Sequence, residues 1–197
     1  LEAAERKKIA RKEMGAIRAS LDEDEIRRRS VPVSERLLSL PEYAASRSVM
    51  IYVSKKNEVY THDLIRKAIA DGKRVAAPLA LPATRSLELG PIGDFDTDLR
   101  PGRYGVLEPV SAGLDPSDIE VFVVPGAAFD CHGNRLGSGW GYFDKLLLPL
   151  SRRQLTVALA FDFQVVEDLE KEDHDVAVDV ILSETRTIRV CSERRKQ

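Results

Sequence analysis

Ile119-Glu120-Val121-Phe122-Val123-Val124 runs directly into Pro125-Gly126-Ala127-Ala128-Phe129-Asp130-Cys131-His132-Gly133-Asn134-Arg135-Leu136-Gly137-Ser138-Gly139-Trp140-Gly141-Tyr142-Phe143-Asp144. The first six residues are apolar and β-branched with hardly a break, which suits a strand buried on both faces, as in a parallel sheet covered by helices. Four of the twelve glycines then fall between 133 and 141. Gly137, Gly139 and Gly141 alternate where strand should give way to helix, so backbone N–H groups can approach an anion closely and the following helix adds partial positive charge. No Gly-Lys-Ser/Thr closes the stretch, and Tyr142 stands where a dinucleotide fingerprint would want its last glycine. The pattern suits a phosphate cradle or a purely structural turn.

Working outward, the spacing predicts a strand over 49–53, a helix over 61–70 closed by Asp71-Gly72, and a strand over 74–77. That βαβ unit implies parallel pairing. Residues 78–116 carry six of the ten prolines but also Leu87, Leu89, Ile92, Phe95, Val106 and Leu107; short strands and turns covering the sheet are expected there. Upstream, 3–19 places Ala10, Met14, Ile17 and Leu21 on one helical face, and Ser20 with Glu23 reads as a capping box opening a second helix. That helix should end before Pro41 and kink or restart near Val31, because Pro32 cannot donate its backbone N–H. Downstream come a helix over 141–147, a strand over 155–160, the apolar segment 176–182 and a last strand over 187–190. The expectation is one α/β domain, 1–197, with a mostly parallel open sheet flanked by helices.

The 197 residues are 43% apolar and 31% charged, with 30 Lys+Arg against 32 Asp+Glu, a net charge of −2. This describes a globular chain rather than a disordered one. The apolar runs are too short to span a bilayer, and the balanced charge offers no field to gather nucleic acid, so neither a membrane nor a nucleic-acid partner is expected. Cys131 and Cys191 lie sixty positions apart, and His62, His132 and His174 are scattered, so no zinc spacing exists and a reduced, cytoplasmic chain is expected. No secretory leader is read at the start. The sequence begins at Leu1 rather than Met, which leaves room for upstream residues.

Several side chains could serve a ligand at the glycine stretch. Arg135 is a fixed cation and Asp144 a hard oxygen donor of the kind Mg2+ takes beside phosphate oxygens. Lys7, Arg11 and Arg18 lie within about 40° of one another on the first helix, either cations at the rim of a buried face or a solvated edge. Glu58 follows the C-terminal end of a parallel strand, where open α/β sheets bind ligands. Tyr142 and Trp140 can stack on a flat heteroaromatic ring or pack against the sheet. Asp179 sits in an apolar run where a lone carboxylate needs a partner, be it a metal, a cap or a cation. Asp130 reads as a turn cap, with His132 near enough to reach a cleft, and Cys131 as a bystander.

The run Pro125-Gly126-x-Ala128-Phe129-Asp130-x-x-Gly133-x-Arg135-Leu136-Gly137-x-Gly139-x-Gly141-Tyr142-Phe143-Asp144 resembles the signature of the 5-formyltetrahydrofolate cyclo-ligase family. The likeness extends to Lys7 and Arg11, to Tyr52-x-Ser54-x-x-x-Glu58-Val59-x-Thr61, to Gly72-Lys73-x-Val75 with Pro78, and to Gly105-x-x-Glu108-Pro109. It implies a three-layer architecture of the NagB/RpiA/CoA-transferase kind, in which ATP and a formyl folate meet in one cleft for Mg2+-dependent closure to 5,10-methenyltetrahydrofolate, with ADP and phosphate released. By resemblance, ATP would be held by Lys7, Arg11, Arg135, Leu136, Gly137, Ser138, Gly139, Trp140, Gly141, Tyr142 and Phe143. The folate would be held by Val53, Glu58, Ser138, Trp140 and Tyr142, and Mg2+ by Asp144 and Asp179, with Arg135 and Tyr142 as the catalytic pair. The substrate would be 5-formyltetrahydrofolate with one or several glutamates, and the protein is expected to act as a monomer.

The chain departs from the family pattern at Trp140, where relatives usually carry a small or basic residue, at Ser138, which replaces a residue that is basic in some relatives, and at Phe143, where many carry Tyr. Two rival readings keep the site and change the outcome: an ATP-dependent kinase or ligase on another heteroaromatic acid, and a folate- or nucleotide-binding protein without turnover.

Overall fold

Alternation in the strands decides how the molecule is layered. The computed structural model describes residues 3–102, 105–151, 153–172 and 175–190, so His174 and Cys191 lie outside the described residues. Its main sheet has seven strands, in the order β11-β10-β9-β6-β1-β2-β3: β1 (Ser48–Ile51), β2 (Arg74–Leu81), β3 (Ser86–Ile92), β6 (Val121–Val124), β9 (Leu155–Leu159), β10 (Val180–Leu182) and β11 (Thr187–Arg189). The five inner strands are parallel, and the edge strands β3 and β11 pair antiparallel.

Successive side chains point to opposite faces. Val49, Ile51, Val121, Val123, Val157 and Leu182 therefore enter one core, while Met50, Phe122, Val124, Ala158 and Ile181 enter another. The first is covered by α2 (Glu23–Leu38), α3 (Pro41–Ala45) and α4 (His62–Ala70), through residues such as Val33, Leu37, Tyr43 and Ile65. The second is covered by α5 (Tyr142–Leu147) and by the hairpin of β7 (Ala128–Phe129) and β8 (Arg135–Leu136), through Leu146, Leu147 and Phe129. Three layers result, as expected from the sequence.

The path through the sheet positions the site. From β1 the chain crosses by α4 to β2 on one side; from the neighbouring β6 it crosses by α5 to β9 on the other. The C-terminal ends of β1 and β6 thus flank the point where the winding reverses, the crevice in which open α/β sheets bind ligands.

Several local expectations are corrected. Asp22, not Ser20, caps α2, accepting from the Glu25 N–H at 2.8 Å, whereas Ser20 donates to the Ile17 carbonyl. α2 runs through Pro32 without the restart expected near Val31. Tertiary bonds hold it: Ser30 donates to the Ile26 carbonyl and accepts from the Tyr60 N–H, and Arg29 and Arg36 both reach Glu184. Within 78–116, β2 continues to Leu81 and pairs along its length with β3, widening the sheet; only β4 (Leu99–Pro101) and β5 (Leu107–Pro109) form a separate covering hairpin. On α1 (Ala3–Ser20), Ala10 and Met14 pack against Ala127, Ala128 and Leu136, and Leu21 beyond the helix joins the first core, but Ile17 is exposed.

Candidate active site

An open cleft lies over the ends of β1 and β6, lined on one side by Tyr52, Val53 and Glu58, on the other by residues 125–127 and the glycine loop, and floored by Pro78, Ala80 and Leu87. The loop that carries Glu58 is closed by a reciprocal clasp. Ser54 N–H donates to Thr61 Oγ1 at 3.0 Å, and Thr61 N–H to Ser54 Oγ at 3.1 Å. Thr61 Oγ1 also donates to the Tyr52 carbonyl, and Tyr52 Oη to the Val59 carbonyl. Thr61 therefore serves the loop rather than capping α4. Glu58 is half-buried at the tip, with Oε2 accepting from the Lys55 N–H. Burial, with the Glu58 charge adding to it and Arg18 opposing, raises the Tyr52 hydroxyl well above its usual range.

Opposite, Arg135 leaves β8 with a side chain only 2 % exposed. Its Nη2 donates to Asp144 Oδ1 at 2.9 Å, its guanidinium lies over the Phe143 ring, and its buried Nε has no partner. A Cβ at position 137 would stand 2.9 Å from Arg135 Nη1, so a side chain there would displace the guanidinium. Gly141 adopts φ +67 to turn the chain into α5, a helix of six residues. None of the backbone N–H groups of 138–141 donates to an acceptor among the described residues. The loop thus presents uncommitted donors beside a buried cation, an arrangement suited to a polyanion.

Arg11 donates from Nε to the Gly137 carbonyl at 2.9 Å and docks α1 on the loop. Lys7 is buried between Asp175 Oδ2 at 2.6 Å and Glu172 Oε2 at 3.0 Å. Burial works against its charge, but the hydrogen bonds and charges of those two carboxylates outweigh it and hold the ammonium above its usual range. The next residue, Val176, donates its N–H to Asp144 Oδ1, so Lys7, Asp144, Arg135 and Arg11 form one connected polar array behind the loop.

The structure brings Val53, Glu58, Gly137, Ser138, Trp140, Gly141, Tyr142, Phe143, Asp144 and Arg135 to the cleft; Gly139 and Arg11 meet on the loop without lining it, and Lys7 is buried against Asp175 and Glu172 instead. Trp140 is 51% exposed at the mouth, under the Arg85 guanidinium. Two further residues are not brought there. The Leu136 side chain is buried against α1 and supports the loop from behind. Asp179 enters β10 beside Thr156 at the start of β9, the end of the parallel strands opposite the cleft, and its Oδ2 accepts from the Thr156 N–H and hydroxyl. A carboxylate so placed ties two strands together. Asp130 is fully buried and caps the hairpin, accepting from the N–H groups of His132, Asn134 and Leu169 and from the Asn134 amide. Cys131 is exposed, a free thiol.

Arg18 and Glu108 also line the cleft. Glu108 was visible in the sequence only as part of Gly105-x-x-Glu108-Pro109, and Arg18 only as a neighbour of Lys7 and Arg11. No helix among the described residues is long and apolar enough to cross a membrane.

A mostly parallel α/β sheet with its cleft at the winding reversal, lined by a glycine loop of uncommitted N–H groups and by the loop that carries Glu58, has the form of a small-molecule enzyme. The family model of the 5-formyltetrahydrofolate cyclo-ligase family matches residues 3–184, and the chain belongs to that family. It is 31% identical to the 5-formyltetrahydrofolate cyclo-ligase of Haemophilus influenzae, over 87% of this chain and 94% of that one. The enzyme of the same name from Saccharomyces cerevisiae is 31% identical over 89% and 94%. Among solved structures, the 5,10-methenyltetrahydrofolate synthetase of Aquifex aeolicus superposes with a TM-score of 0.83 at 34% identity, covering 95% of this chain and 94% of that one. The synthetase from Mycoplasma pneumoniae shares the fold at a TM-score of 0.72 and 22% identity, over 90% and 98%.

Proposed function

We propose that the chain, 1–197, is a cytoplasmic, monomeric 5-formyltetrahydrofolate cyclo-ligase that couples ATP hydrolysis to formation of 5,10-methenyltetrahydrofolate. The observation that carries the reading is a loop of uncommitted backbone N–H groups beside the buried Arg135, lining the same cleft as the half-buried carboxylate Glu58. The free thiol of Cys131 fits a reducing compartment.

A formamide oxygen is a poor leaving group. Transfer of the γ-phosphoryl group of ATP to the formyl oxygen converts it into a phosphate ester; N10 then attacks the formyl carbon, the C–O bond breaks, phosphate departs and N10 loses its proton. Catalysis of this kind needs positioning and charge neutralisation more than a nucleophile. Arg135, desolvated and aimed by Asp144, faces the phosphoryl group in transfer, while the free N–H groups of 138–141 and the cations Lys7 and Arg11 hold the triphosphate. Lys7 must exchange Asp175 or Glu172 for phosphate oxygens as ATP enters. Tyr142 and Trp140 flank the rings; Val53 offers apolar contact and Glu58 accepts from the pterin amide and amino groups.

Mg2+ suits a site with one carboxylate beside phosphate oxygens, and Asp144, whose Oδ1 is already used by Arg135 and Val176, retains Oδ2 for it. Bound there, the ion would neutralise phosphate charge. Asp179 is too remote to share it.

ADP release and the methenyl chromophore, followed together with and without 5-formyltetrahydrofolate and Mg2+, test the reading. Equal yields of both, dependent on all three components, are expected. ADP without chromophore would move the protein to a kinase or ligase on another acid, and binding without either product would make it a binding protein.

A further inference from the structure

Three of the four cations that α1 and the hairpin bring to this region are committed: Lys7 to Asp175 and Glu172, Arg11 to the Gly137 carbonyl, Arg135 to Asp144. The fourth is Arg18. It stands in the last turn of α1 and lines the cleft on the same side as Tyr52, Val53 and Glu58, with its Nε shielded from solvent and without a hydrogen-bond partner. A guanidinium N–H withdrawn from water and left unpaired is costly, and native proteins rarely keep one without use. Arg18 and Glu58 both line the cleft together with Tyr52, and their charges bear on the Tyr52 hydroxyl in opposite senses.

A cation and a carboxylate lining one cleft can together serve a mixed edge of donors and acceptors. The ring of the substrate proposed above carries the complement: a 2-amino-4-oxopteridine presents, along one edge, the 2-amino group and N3–H as donors and the 4-oxo oxygen as acceptor. The carboxylate satisfies the two donors, and a guanidinium satisfies the oxygen. We infer that Arg18 is a specificity-determining residue, donating from its guanidinium to the 4-oxo oxygen of the pterin while Glu58 accepts from the adjoining N3–H and 2-amino groups. The inference rests on the folate reading and adds to it the group that distinguishes a 4-oxo from a 4-amino ring. A 4-amino pteridine would turn a donor toward Arg18 and, with no hydrogen on N3, an acceptor toward Glu58, and sites built to hydrogen-bond a group reject the analogue that lacks it; the Arg18 share of that rejection is what the Arg18 variants isolate.

Two probes with identical tails test it: 5-formyltetrahydrofolate and a 2,4-diaminopteridine carrying the same benzoylglutamate. Binding is followed through Trp140, the one tryptophan of the chain, which lies at the cleft mouth. In Arg18→Gln, affinity for the 4-oxo probe should fall roughly 10- to 100-fold, the worth of one charge-assisted hydrogen bond. Affinity for the 4-amino probe should change less than about three-fold on the same scale, and the KM for ATP should stay unchanged. Arg18→Lys, which keeps the charge and a donor, should recover most of the loss. Equal weakening of both probes, or none, in a variant that melts with the wild type would overturn the assignment. A wild-type protein that binds neither probe would instead overturn the folate reading beneath it.

Discussion

Arg135 is the residue whose surroundings leave it least freedom. Asp144 holds one end of its guanidinium, the Phe143 ring lies beneath and Gly137 passes above. Gly137→Ala would push a methyl group into Nη1, and the expected result is a rise of about ten-fold in the KM for ATP, the effect of losing about 1.4 kcal/mol of binding, with the folate KM nearly unchanged. Arg135→Ala should chiefly impair ATP use and Glu58→Gln chiefly folate use; steady-state kinetics with each substrate varied in turn separates them. His62 gives a different handle. Burial pushes its imidazole below the usual value, Arg27 and Arg66 add to the effect, and the Ser54 carbonyl and Asp63 oppose it. The unfolded chain therefore takes up this proton at higher pH than the folded one. The stability that neutral His62 contributes is complete above about pH 6.5 and is lost as pH falls through the folded value. Denaturant midpoints should decline on acidification from about pH 7 to pH 5, and His62→Gln should flatten that decline.

At the level of elements, local pattern decides some boundaries and tertiary context decides others. Strands β1 and β6 are legible because continuous apolar, β-branched runs are a local property, and α4 because Gly72 ends it at φ +76. The cap of α2 was misplaced by two residues since Ser20 and Asp22 are both good caps, and only the backbone path decides between them. Asp22→Ala should cost about 1 kcal/mol in chemical denaturation, whereas Ser20→Ala, at an exposed helix end, should stay within about 0.5 kcal/mol. Pro32 signalled a break that tertiary bonds from Ser30, Arg29 and Arg36 override. Asp130 illustrates the converse: its role as a turn cap was readable, but not that four donors converge on it. Asp130→Ala should lower stability by about 3 kcal/mol, as several orphaned donors would.

For the molecule as a whole, the glycine loop and Glu58 could be placed at one cleft from sequence, because both follow the C-terminal ends of parallel strands. Asp179 could not be placed. An apolar run containing one carboxylate does not reveal at which end of its strand that carboxylate lies, and here it lies at the end away from the cleft. Asp179→Asn is accordingly expected to lower the melting temperature through the Thr156 bonds while leaving the Mg2+ requirement of ADP release unchanged. Asp144→Asn should raise that requirement.

The tethering of α1 has a kinetic consequence. The helix adds little to either large core; it rests on a small apolar contact through Ala10 and Met14 and on polar ties from Lys7 and Arg11. Segments held this lightly detach on their own long before the rest of a protein unfolds. Amide hydrogens of α1 should therefore exchange with deuterium ahead of those of β1 and β6 in the free protein, and slow when a nucleotide bridges the helix to the loop. On the proposed nucleotide site, which Lys7 and Arg11 of this helix would share, the expected result is that α1 protection in hydrogen exchange rises with nucleotide concentration.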